Sequence, residues 1–186
     1  MKSRSFDIAL NKGAIGEEVV RLLLEKRGWV VYQPITTGPH HFDMLSIKDK
    51  ASAIALDVKA KARMNKFRAT GVNQKHFEEY KRFSAKHKMP FWIVFVDEHP
   101  GERRIYGNTL EELEKPYFSV DENITYPWVM NGRVPIRLWS LEVMKEISPL
   151  DEDVCQKLIT VSQRSYEYET RKPAGGYQPS QRAIAT

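Results

Sequence analysis

A chain of 186 residues, 41% hydrophobic and 28% charged, has enough apolar material for one domain with a substantial core, which excludes a disordered or fibrous protein. No apolar run approaches the roughly 20 residues that cross a bilayer, and the polar start Met1–Ser5 lacks the apolar centre of a signal peptide, so a cytoplasmic protein without a membrane partner is expected. The single cysteine, Cys155, excludes an internal disulfide and a cysteine-built zinc cluster; it fits a reducing intracellular compartment and reads as a small buried side chain.

From Gly13 to about Arg27, Ile15, Val19, Val20, Leu22, Leu23 and Leu24 recur at helical spacing, and Gly28 stands where a helix stops. Trp29–Ile35 reads as a strand, followed by a loop over Thr36–His41 that Gly38 and Pro39 punctuate. Phe42–Ile47 and Ile54–Lys59 are two further strands, joined by the polar turn Lys48–Lys50. Because a strand alternates its faces, Asp57 and Lys59 point the same way while Val58 points into the opposite layer. Asn73–His87 is helical, with Phe77, Tyr80 and Phe83 near one face, and Pro90 makes the chain leave it. Phe91–Val96 has the length and composition of a buried strand.

Beyond Pro100, Arg103–Tyr106 adds an edge strand, and Thr109–Glu112 has the form of a capping box for one short helix. Pro116–Val134 reads as an ordered but irregular excursion. Val134–Trp139 is a strand broken by Pro135, Ser140 caps a short helix, and Asp151–Arg164 forms another with Val154, Leu158 and Val161 aligned. The expected class is α/β, a central mixed β-sheet flanked by helices in the order α-β-β-β-α-β, with a C-terminal extension. Residues 1–107 form the core, 108–164 an extension of strands and short helices packed on it, and 165–186 an aperiodic, flexible tail.

The net charge of +5 is unevenly spread: between Lys59 and Lys88 ten basic residues face two acidic ones, Glu78 and Glu79. Taken alone, a charge run more often marks a solvated helix face than a ligand track. Here it begins on the strand that carries Asp57 and Lys59, with Asp43 on the strand before. Two carboxylates and a lysine beside one sheet can hold a hard divalent cation against a phosphodiester and place an amine near the attacking water. Clustered cations alongside suit the phosphate backbone of DNA.

Gly13–Glu17 opening the first helix, Asp43 on the second strand, Asp57, Val58 and Lys59 on the third, and Gln74 starting the next helix together resemble the PD-(D/E)XK nuclease superfamily, and within it the archaeal Holliday-junction resolvase-like endonucleases. The resemblance covers about Lys12–Val96, a restriction-endonuclease-like core. Phe42 stands where the family motif often has proline, and Asp57 where the resolvases have glutamate. The resemblance implies that Asp43, Asp57 and the main-chain carbonyl of Val58 bind magnesium or manganese, that Lys59 orients or deprotonates the water, and that Glu17 reaches the same site from the helix. Gln74 would contact a phosphate or the water, though a glutamine near a helix start as often serves as a local hydrogen-bonding group. Glu18 competes with Glu17, since neighbours on a helix lie about 100° apart and only one faces the sheet's active edge. Glu17 shares the side of Val20 and Leu24, and its spacing from Gly13 matches the family.

Lys61 and Arg63 continue the Lys59 face if the strand persists and would meet phosphates; Lys66 and Arg68 fall in a loop expected to order on nucleic acid, and Lys75 joins the same DNA-binding group. His40 and His41 are adjacent in an extended segment and point apart, so they read as loop residues near the substrate rather than as metal ligands. Trp92 and Phe95 read as core. The implied activity is a magnesium-dependent endodeoxyribonuclease acting on duplex or branched DNA in recombination, repair or restriction, as a homodimer where two coordinated cuts are needed. The alternatives are a non-catalytic nucleic-acid-binding module with the same fold, which gains nothing from carboxylates beside phosphates, and a generic α/β domain with merely solvated strand ends.

Overall fold

The computed structural model describes residues 4–35, 42–50, 52–64, 67–99, 103–158 and 160–161. In chain order its elements are α1 (Arg4–Lys26), β1 (Val30–Tyr32), β2 (Met44–Asp49), β3 (Ser52–Lys61), β4 (Ala69–Asn73), α2 (Gln74–His87), β5 (Phe91–Asp97), β6 (Arg104–Thr109), α3 (Leu110–Leu113), β7 (Tyr117–Ser119), β8 (Ile124–Tyr126), β9 (Trp128–Met130), β10 (Ile136–Ser140) and β11 (Lys145–Pro149). Residues 152–158 are helical again.

Six strands form the main sheet in the order β1-β2-β3-β5-β6-β11. Only β3 and β5 run parallel, from Ala55 opposite Phe91 to Lys61 opposite Asp97, and α2 makes the crossover between them. The strand period of two divides the core into two layers. Ala55, Phe91, Ile93 and Phe95 pack against Phe77 and Tyr80 of α2, together with Trp139. Leu56, Val58, Val94 and Val96 pack on the other face with Val20 of α1 and with Cys155 and Leu158. The fold is therefore the expected α/β class, a mixed sheet flanked by helices, and within that sheet the order α-β-β-β-α-β holds.

Several elements differ from expectation. Residues 69–73, to which the sequence assigned no strand, form β4 in a separate sheet of order β4-β10-β9. Ala69–Asn73 is short and contains a glycine, so its strand state depends on pairing with β10, Ala69 opposite Ser140 and Asn73 opposite Ile136. The irregular stretch over Pro116–Val134 contains β7, β8 and β9. β6 is an interior strand, because β11 covers its outer edge. Ser140 does accept a hydrogen bond from the Glu142 amide at 3.2 Å, but a turn and then β11 follow in place of a helix. Residues 165–186, His40, His41 and Lys66 lie outside the described residues.

Gly16 sets how closely α1 approaches the sheet. A Cβ on it would come within 2.6 Å of the Ala60 Cβ and 3.5 Å of Val58 Cγ1. At Gly13 a Cβ would meet nothing nearer than 3.9 Å. Gly→Ala in a helix gains about 0.5–1 kcal/mol of propensity, whereas forcing a methyl into a packed contact costs about 1–3 kcal/mol. Gly13→Ala should therefore raise the urea midpoint and Gly16→Ala lower it, and a rise in both would refute the close contact of α1 with β3.

Candidate active site

The site grows from the place where β2 ends. β2 begins at Met44, opposite Leu56, and the Asp43 amide still donates to the Leu56 carbonyl at 2.9 Å. Past that point, among the described residues, β3 has no strand on this side, so the Val58 amide, turned the same way as Leu56 by the strand's alternation, needs a partner from elsewhere. Asp43 fills the gap: its Oδ2 accepts from the Val58 N–H at 2.6 Å. The same alternation turns the Val58 carbonyl towards this open side.

Asp57 occupies the α2 face of β3 and is buried. The Lys59 ammonium sits astride its carboxylate, 2.7 Å from Oδ1 and 2.6 Å from Oδ2, and has hydrogen-bond geometry only to Oδ1. The Tyr80 hydroxyl donates to the same Oδ1 at 2.8 Å. Burial pushes the Asp57 carboxyl above its ordinary range; the Lys59 charge pulls it down, the nearby Asp43 charge adds to the rise, and the hydrogen bonds from Lys59 and Tyr80 lower it. Burial and then the Asp57 charge hold the Tyr80 phenol far above its usual value, so it stays a donor.

Tyr80 is the functional neighbour that the sequence reading placed only on an apolar helix face. The signal was chemical: a tyrosine on a buried face needs a partner for its hydroxyl, and the polar group of the underlying strand is Asp57. Its ring is stacked on Phe91 at 4.6 Å between centroids, which fixes where the hydroxyl points. Tyr80→Phe removes a bond that lowers the Asp57 pKa, so the acid limb of any Asp57-dependent activity should move to higher pH. The expected loss is about tenfold at neutral pH. An unmoved limb would rule out this role.

The other expected residues fall in different places. Glu17 belongs to α1, which packs on the Val58 and Ala60 face, opposite the layer that holds Asp57 and Lys59. Among the described residues no three His, Cys, Asp or Glu side chains gather as a metal-binding group. The choice between Glu17 and Glu18 is clearer: Glu18 is exposed and bound to Arg21 at 2.7 Å, whereas Glu17 is half-buried. Gln74 opens α2, but its side chain donates to Glu78 at 2.7 Å, and its buried Oε1 has no hydrogen-bond partner.

β3 persists to Lys61, whose amine donates to the Gly71 carbonyl of β4. Burial, followed by the Lys59 charge, pulls this amine down to about 8. Arg63 lies past the end of the strand and turns inward, its guanidinium 2.5 Å from Asp97, with 9% of the side chain exposed and none of Asp97's. The expected surface contacts of Lys61 and Arg63 are therefore replaced by internal ones, because the strand ends before Arg63 and β4 closes over Lys61. Arg68 and Lys75 are exposed. The Arg68 amide donates to Glu122 at 2.5 Å, and the Lys75 amide to Asn73, the cap of α2, at 2.9 Å.

Oxygen ligands suit a magnesium- or manganese-sized cation. Asp57 Oδ2 is buried without a hydrogen-bond partner, and Asp43 is near enough for its charge to act on Asp57. Two like charges of which one is desolvated are the environment that a divalent cation relieves, so this donor pair, with the Val58 carbonyl, fits such an ion.

No protein-family model matches the sequence, and a comparison with curated proteins returns no match. Among solved structures the chain is similar to Hjc, a Holliday junction resolvase from the archaeal hyperthermophile Archaeoglobus fulgidus, at 12% identity and a TM-score of 0.48, over 78% of this chain and 96% of that one. It is also similar to a nuclease from a fusselovirus, at 12% identity and a TM-score of 0.47, over 87% of this chain and 97% of that one.

Proposed function

We propose that the protein is a divalent-metal-dependent DNA nuclease, an endonuclease that hydrolyses phosphodiester bonds, with branched DNA as a substrate. The observation that carries this reading is the buried Asp57 carboxylate, held by Lys59 and Tyr80 and facing the charge of Asp43, at the point where β2 ends and the backbone of Val58 opens outward. A structural ion pair between Lys59 and Asp57 would not need the second aspartate beside it.

In this reading Asp43, Asp57 and the Val58 carbonyl hold magnesium or manganese. When bound, such an ion would supply neutralisation of phosphate charge and a lower pKa for a coordinated water. Asp43 is oriented by the Val58 amide, which holds its carboxylate beside β3 at the point where β2 stops. Tyr80 fixes Oδ1 of Asp57 and leaves Oδ2 as the donor. Lys59, 30% exposed at its side chain, reaches from the buried carboxylate to the solvent side and places an N–H beside the attacking water or the phosphate oxygen.

Incubation with labelled branched, linear duplex and single-stranded DNA, in magnesium or in EDTA, tests the proposal. Cleavage in magnesium with 5′-phosphate products, lost in EDTA, is expected, and paired cuts across a junction would require a homodimer, visible by light scattering. Binding without any covalent product in magnesium would refute the enzyme.

A further inference from the structure

We propose that a groove along the outer side of α2, lined by Glu79, Arg82, Phe83, Lys86 and His87, binds the sugar-phosphate backbone of the strand that passes the Asp43 and Asp57 site. This rests on the nuclease reading and names where that substrate is held.

The groove has a volume of about 280 Å³. Its lining carries two full cations against one carboxylate. Several long cations of the described surface are neutralised within the chain, among them Arg21 by Glu18 and Glu25, Lys81 by Glu114, Arg103 by Glu152 and Lys115 by Glu112. Arg82 and Lys86 are exposed, and neither has an ion-pair partner among the described residues. Two unneutralised cations one helical turn apart leave a positive potential, which favours an anion.

The position of the groove ties it to the site. Its floor is Phe83, whose ring lies 4.5 Å from His87 and 5.1 Å from Phe42. Phe42 immediately precedes Asp43, so the floor of the groove touches the residue next in the chain to the candidate metal ligand. Lys75, Glu79, Arg82 and Lys86 fall on one stripe of α2, and from Lys75 to Lys86 that stripe is about 16 Å long at 1.5 Å per residue. At a rise of about 3.4 Å this matches roughly five nucleotide steps. The cations first expected to contact phosphate, Lys61 and Arg63, are occupied inside the fold, and the stripe supplies charge in their place. Phosphate contacts are sequence-independent, so the groove would hold position and register while the site acts on whichever bond is presented.

The test is the salt dependence of DNA binding in EDTA, read by anisotropy of a labelled duplex of about 20 base pairs between about 50 and 200 mM salt. Arg82→Gln with Lys86→Gln should weaken binding about tenfold or more and make the slope of log K against log salt shallower by about 1.8, the value for two lost phosphate contacts. Glu79→Gln, which removes the opposing charge, should tighten binding. Arg82 and Lys86 are exposed and Glu79 is partly exposed, so circular dichroism should be unchanged. If DNA binds with an unaltered slope, or if the double variant changes oligomeric state instead, the groove assignment is overturned while wild-type cutting still supports the nuclease. If the variant loses slope as expected but the wild type never cuts, the groove stands and the nuclease reading falls.

Discussion

If the proposed function holds, Asp57→Asn should lower DNA cutting by about 10³-fold or more while leaving salt-sensitive DNA binding in EDTA intact, because it would remove one charge from the pair proposed to hold the metal without changing the volume of the side chain. Its effect on stability runs the other way. The Asp57 carboxyl is raised in the folded protein, chiefly by burial. A carboxyl raised on folding contributes stability that is fully present below its unfolded pKa and is lost as pH rises through its folded one. At pH 8 the ionised form therefore costs stability, and the asparagine, permanently neutral, avoids that cost. Thermal melts in EDTA should place the variant at or above the parent at pH 8, with the gap closing on acidification. Lost cutting combined with retained or improved stability separates a functional carboxylate from a structural one; a variant that still cuts, or that melts well below the parent at every pH, contradicts the assignment.

Lys59→Met should cost about 10²–10³-fold in cutting, for two linked reasons. The ammonium that can face water or phosphate is gone, and Asp57 loses the charge that most opposes its upward shift. The carboxylate then stays protonated to higher pH, so metal affinity at neutral pH falls and partly recovers in alkali. Lys59→Arg should not restore the rate, since a planar guanidinium cannot reproduce a compact ammonium astride one carboxylate. Measuring cutting and manganese affinity together against pH resolves the two effects. A Met variant with parental metal affinity at pH 7 and undiminished cutting would remove Lys59 from the site.

The legible part of the site was the part that strand periodicity controls. Asp57 and Lys59 on one face and Val58 in the opposite layer follow from a period of two and need no tertiary information. Asp43 was legible as the carboxylate on the neighbouring strand, though not its hydrogen bond to Val58, which depends on where β2 stops. Tyr80 was hidden because a helix pattern shows which side chains are buried and not what their hydroxyls meet. Arg63 was misread because the end of β3 and the buried Asp97 set its direction, and neither is local. The same holds for β4 and β11, strands of five residues whose partners lie more than 30 residues away. For Glu17 the place on the helix was readable, while the layer of the sheet that α1 packs on was set by how Gly16 seats α1 on β3.

The most direct test is a manganese titration, with free ion followed by electron paramagnetic resonance, of the wild type, Asp43→Asn and Asp57→Asn. The wild type should bind manganese at a site that both substitutions weaken about tenfold or more. Equal stoichiometry and affinity in all three proteins would contradict a metal held between these two aspartates.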